Sequence, residues 1–103
     1  MSFKSTRFKS KKLLDASRDQ DCTMNVTDVC NYDSATTIPA HFNTDGGKMG
    51  GKTHDFMVID CCSDCHHWLD NYVGTEEDRL FYGSRALGRT LEGRFNRGVM
   101  KVG

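Results

Sequence analysis

Cys22, Cys30, Cys62 and Cys65 are the residues whose types and spacing speak most directly of chemistry. Two cysteines separated by two residues, as in Cys62-Ser63-Asp64-Cys65, can share one tetrahedral ion, because the turn between them aims its backbone amides at the thiolates. Cys22 and Cys30, with seven residues between them, are a looser pair. Together the two pairs predict one structural zinc held by four cysteines, with a long insertion between its halves. Cys61 is a fifth thiol, so a complete disulfide set is impossible. It could replace Cys62 as a ligand, but Cys62 gives the two-residue spacing, and Cys61 is expected as a small buried residue at a strand's end.

The histidines suggest a second kind of chemistry. His66 and Asp70 are four residues apart and on a helix would share a face, where they could hold a catalytic cation with positions open for water and a phosphate oxygen. The bland counterpart is a hydrogen-bonded surface pair. A strand ending at His41, antiparallel to the strand that leads into that helix, could set the His41 imidazole over the helix's first turn, where it could take a proton from water attacking phosphorus. His67 would point elsewhere, and His54 falls in a loop.

One motif misleads. Gly46-Gly47-Lys48-Met49-Gly50-Gly51-Lys52-Thr53 satisfies G-x4-G-K-[ST], the phosphate-cradling loop of nucleotide hydrolases, which needs a buried strand before it and a helix starting at its lysine. Here a poor strand with Pro39 precedes it and Asp55-Phe56-Met57-Val58-Ile59-Asp60, a strand-like run, follows. No nucleotide cofactor is expected, and the segment reads as a flexible hairpin loop whose Lys48 and Lys52 could touch a phosphate.

A chain of 103 residues has room for a single domain and a modest core, which a bound metal would help to hold. No apolar stretch resembles a secretory signal or a membrane span, so a reducing cytoplasm is the expected compartment, and there closely spaced thiols favour zinc over disulfides. The net charge of zero conceals segregation. Lys4, Arg7, Lys9, Lys11 and Lys12 stand without an acid in residues 1–12. Residues 79–103 hold six basic residues against Glu92 alone, while residues 13–78 carry most of the acids. Basic ends around an acidic, metal-attracting centre suit a phosphate backbone partner.

These residues need elements to position them. Residues 1–12 read as a basic flexible arm and residues 13–103 as one domain. Leu13 to Ser17 could form a helical turn, and residues 23–34 a loop organised by a metal. Residues 36–42 and 55–60 read as strands, with Pro39 confining the first to an edge or to its start. Cys62 to Cys65 reads as a knuckle turn, followed by a helix from His66 that Gly74 stops. Thr75-Glu76-Glu77-Asp78 predicts a capped start for a C-terminal amphipathic helix. On that helix Leu80, Leu87, Leu91 and Phe95 are expected to face the core, and Arg85, Arg89 and Arg97 to face away and bind nucleic acid.

This order of parts resembles the YbcO-like phage and prophage family of HNH nucleases, within the ββα-metal group. The matching pieces are Arg18-Asp19-Gln20-Asp21-Cys22, Val29-Cys30-Asn31, Thr37-Ile38-Pro39-Ala40-His41, the Gly-rich loop ending at Lys52 and Asp55, Cys62-Ser63-Asp64-Cys65-His66, Asp70, and Leu91-Glu92-Gly93. The resemblance implies an α+β fold in which a hairpin and helix grip a cation while flanking cysteines hold zinc, with His41 as general base and His66 as a metal ligand. Ala40 stands where such enzymes often carry an acidic ligand, and Asp55 and Asp60 are only near the place of the middle asparagine.

Two functions from different classes follow. The first is a metal-dependent endonuclease hydrolysing DNA phosphodiesters, using His41 and one divalent cation such as Mg2+, Mn2+ or Zn2+. The second is a zinc-stapled nucleic-acid or protein-binding module without catalysis, which has no need of His41, His66 and Asp70 converging.

Overall fold

A two-stranded antiparallel hairpin lies at the centre, with β1 (Ile38–His41) paired to β2 (Val58–Cys61) so that Ile38 faces Cys61 and His41 faces Val58. The structure is a computed structural model that describes residues 8–42, 54–71 and 73–100. Lys48, Lys52 and the glycine-rich segment lie outside the described residues.

Pro39 is tolerated in β1 because its partner Asp60 turns its own backbone outward. The Asp60 amide donates to Thr90 Oγ1 at 3.1 Å and its carbonyl accepts the Thr23 amide at 2.8 Å. Thr23 and Thr90 thus cover the free edge of β2. Both strands are shorter than the sequence suggests. Thr36 closes a 3-10 turn (Ser34–Thr36) capped by the Asp33 carboxylate. Residues 54–57 form a turn in which the Met57 amide reaches the His54 carbonyl.

Among the described residues, three helices complete the α+β arrangement: α1 (Lys11–Asp15), α2 (Ser63–Asp70) and α3 (Glu76–Asn96). The expected knuckle is the first turn of α2, with Cys62 as its cap and the Cys65 amide 3.3 Å from Cys62 Sγ. Thr75 caps α3 as the sequence predicts, accepting the Asp78 amide at 3.0 Å, with Glu76, Glu77 and Asp78 at the helix's positive end.

Two expectations are corrected. Residues 8–12, grouped by charge with a flexible arm, are folded: Ser10 caps α1, and Phe8 and Ser10 bond to the 54–55 turn. The buried stripe of α3 is not its leucines. It is Arg79, Gly83, Ala86, Thr90 and Arg94, while Leu80 and Phe95 are exposed and Leu87 and Leu91 half-buried. The helix lies so near the sheet that small residues must face it, and the leucines fall to the flanks of the contact. Gly83 shows why, since a Cβ there would stand 2.0 Å from Phe42 Cε1.

The core joins Met24, Val26, Ala40, Phe42, Ile59, Cys61, Trp68, Leu69 and Ala86 to the cysteines. Beside it Arg94 is buried against Ser17 Oγ at 3.0 Å and Asp60 Oδ1 at 3.9 Å. Burial pushes the Asp60 carboxyl up, against the lowering effects of Ser17, Arg94 and Arg97. Among the described residues, no helix is long and apolar enough to cross a membrane.

Candidate metal centre and histidine site

The loop carrying Cys22 and Cys30 gets its shape from three residues in the left-handed region, Asn25, Asp28 and Tyr32, with φ of 47°, 64° and 56°. Asn and Asp adopt that region more readily than other side chains. The loop brings its two thiols against the cap and first turn of α2. The Sγ atoms of Cys22, Cys30, Cys62 and Cys65 all lie within 4.8 Å of one another, and Cys30 and Cys62 are 3.9 Å apart. A tetrahedral zinc with Zn–S bonds of about 2.3 Å needs sulfurs about 3.8 Å apart, so the set fits such an ion.

Amide N–H groups converge on the sulfurs. The Cys65 amide points at Cys62, the Asn25 side-chain amide reaches Cys30 at 3.5 Å, and the backbone amides of Asn25 and Cys62 bond to Cys22. Hydrogen bonds from Cys61 and Cys65 drive the Cys22 thiol far below its ordinary value. Cys61 and Cys65 are pushed up, each first by its bond to Cys22, and Cys30 is raised chiefly by burial. A bound divalent cation would take the place of the shared protons. Cys61 is fully buried at the end of β2, with its sulfur 3.5 Å from Met24 Sδ. It supports Cys22 rather than joining the four.

The arginines of α3 brace this loop. Arg85 donates to the Met24 carbonyl at 2.8 Å and lies over the rings of Phe81 and Tyr82, while Arg89 donates to the Thr23 carbonyl at 3.2 Å and to Asn25 Oδ1 at 3.3 Å. Arg97 reaches the Ala16 carbonyl at 3.2 Å. Charge alone marked all three for nucleic acid, and the loop carbonyls they serve carry no sequence signal. Arg89 and Arg97 remain exposed, whereas Arg85 is half-buried.

His41 ends β1 and shares its pleat face with Pro39, Val58 and Asp60, while Ala40 is buried on the other face. His41 Nε2 lies 2.9 Å from Asp55 Oδ1, and the side chain of Asp55 is almost wholly buried. The other carboxylate oxygen of Asp55 accepts the Ser10 amide at 2.7 Å. Asp55 therefore has a defined role that sequence reading missed, although its place after the glycine-rich loop had drawn attention to it. On α2, His66 Nε2 lies 3.0 Å from Asp70 Oδ2, the four-residue spacing bringing them together as expected. Among the described residues no third His, Cys, Asp or Glu joins that pair at ligand distance, Ala40 offering no donor. His67 bonds instead to Asn71.

A hairpin and helix beside four converging cysteines, with a carboxylate-held histidine at the end of one strand, define a small α+β fold with a candidate metal centre. Residues 11–99 match the family described as "Putative nuclease YbcO", and the chain belongs to that family. Among solved structures it resembles one titled "Structure of a putative bacteriophage protein from Escherichia coli str. K-12 substr. MG1655". The TM-score is 0.66 at 23% identity, over 82% of this chain and 98% of that one, a likeness of fold. No curated protein sequence matches the chain.

Proposed function

We propose that this protein is a metal-dependent DNA endonuclease of the HNH, ββα-metal kind. The observation that carries the reading is the 2.9 Å contact between His41 and the buried Asp55, in a chain whose family is described as "Putative nuclease YbcO". A carboxylate only accepts hydrogen bonds, so Asp55 holds the proton of His41 on Nε2, and Nδ1 becomes the basic atom. His41 Nδ1 then takes the proton of the water that attacks phosphorus. The cysteines hold a structural zinc that fixes the start of α2, and with it His66.

His66 and Asp70 are the side chains that would hold the catalytic cation. One nitrogen and one carboxylate on an open face suit Mg2+, Mn2+ or Zn2+ that keeps several waters. Such an ion, when bound, supplies positive charge to the scissile phosphate and the leaving 3′ oxygen. DNA is then gripped through backbone contacts, with Lys48, Lys52, Arg89, Arg97 and the basic residues before Phe8 as the contributors.

Nicking of supercoiled plasmid that requires added Mg2+ or Mn2+ tests this reading. The native chain is expected to nick and His66→Ala to require more of the ion. Ala40 favours a second reading, a zinc-stapled binding module without catalysis. DNA binding with no nicking under any divalent ion would establish that reading instead.

A further inference from the structure

The segment before α1 is fastened to the turn that carries Asp55. The Asp55 amide donates to the Phe8 carbonyl at 2.9 Å, the Ser10 amide donates to Asp55 Oδ2 at 2.7 Å, and the Phe8 amide donates to His54 Nδ1 at 2.8 Å. Rings add to the attachment. Phe8 lies 5.7 Å from Phe56, which stacks on His54 at 4.9 Å. Phe8 nevertheless remains half exposed, so burying apolar area is not the main effect of this contact. Two of its three bonds converge on Asp55, the third going to His54, and the remaining carboxylate oxygen of Asp55 meets His41.

We infer that Phe8–Ser10 is a strap that positions His41 through Asp55. A carboxylate can rotate about its own bond to carbon, and a rotated Asp55 would meet His41 with a poorer angle or not at all. With Oδ2 tied to Ser10 and its backbone amide tied to Phe8, Asp55 presents Oδ1 in one direction. The ring of His41 is then held in one orientation and one tautomer, the proton on Nε2. Orientation of this kind matters to rate because a general base displaced by about 1 Å can lose roughly a hundredfold. Phe8, Ser10 and Asp55 are in this sense positioning residues; they touch neither substrate nor cation. The inference rests on the nuclease reading for its effect on rate, but its structural content does not.

The test uses the full chain and two variants. Ser10→Pro removes the backbone amide that holds Asp55 Oδ2 and keeps every charge, and replacing Lys4, Arg7 and Lys9 by glutamine removes charge and keeps the strap. Nitrogen-15 NMR of the His41 ring reads the tautomer without any cleavage assay, and single-turnover plasmid nicking reads kcat and KM. Ser10→Pro is expected to mix the His41 tautomers and lower kcat by about tenfold or more with KM held. The glutamine variant is expected to raise KM and leave both kcat and the tautomer unchanged. If Ser10→Pro fails to fold, Phe8→Pro, which removes the Phe8 amide and ring, replaces it, with the same tautomer readout. An unchanged His41 spectrum in a folded strap variant would overturn the inference. A wild-type chain that cuts nothing while the variant mixes the tautomers would sink the nuclease reading and leave the strap standing.

Discussion

The ring of Phe42 rests directly on the backbone of α3 at Gly83, so close that a Cβ on residue 83 would stand 2.0 Å from its edge. Helix propensity alone says that alanine in place of a mid-helix glycine stabilises by up to about 1 kcal/mol. At this site overpacking wins. Gly83→Ala is expected to lower stability by about 1–3 kcal/mol in thermal or urea melts. Gly88→Ala, with nothing within 4 Å of its Cβ, is expected to raise it by up to about 1 kcal/mol. Equal effects at the two glycines would contradict the packing described for α3.

The buried pair of Asp60 and Arg94 gives a second prediction. Arg94→Met leaves Asp60 without its cation and is expected to cost about 3–5 kcal/mol. The pH dependence has a definite sign. Burial raises the folded carboxyl above its ordinary 3.8, so the folded state holds the proton more tightly there, and stability falls as pH rises through that window. Loss of Arg94 raises Asp60 further. The variant should therefore lose stability more steeply than wild type between about pH 4 and neutrality, as melting of the metal-loaded protein across pH will show.

Metal removal should act on the fold itself. The cysteines tie residues 22–30, which form no helix or strand, to the start of α2. Chelation or Cys65→Ser is therefore expected to abolish the cooperative melt, with about one zinc per chain in the native sample. A zinc-free sample that melts like the native one would remove the structural role.

The α3 arginines separate by exposure, since both Arg85 and Arg89 donate to loop carbonyls but only Arg89 is exposed. Arg85→Gln breaks the bond to the Met24 carbonyl and is expected to lower the melting temperature with little change in the salt dependence of DNA affinity. Arg89→Gln, on an exposed side chain, is expected to flatten that dependence by about one unit of slope. Competition binding at several salt concentrations, beside melting curves, distinguishes them.

The legible parts of this chain were those fixed by local spacing. Cys62 and Cys65 read as a knuckle because a two-residue turn lets both thiols share one ion, and Thr75 read as a cap from the acids that follow it. His66 and Asp70 were paired by helical period. What escaped was set by contacts distant in sequence. The arginines at 85 and 89 serve loop carbonyls about sixty residues away, which no pattern of side chains announces. The face of α3 was misread because close approach to the sheet selects small residues, and a leucine count reports only apolarity. The partnership of Asp55 with His41 and Ser10 needed the hairpin and the N-terminal segment placed together before it could be seen.

The proposed chemistry turns on His41 as the proton acceptor in phosphodiester cleavage. It is tested most directly by single-turnover nicking with His41→Ala, with and without added imidazole. The variant is expected to keep its zinc, its melting temperature and its DNA affinity, to cut about a hundred- to ten-thousandfold more slowly, and to recover part of that loss when imidazole enters the vacated space. A folded His41→Ala protein that nicks at the wild-type rate would contradict the account.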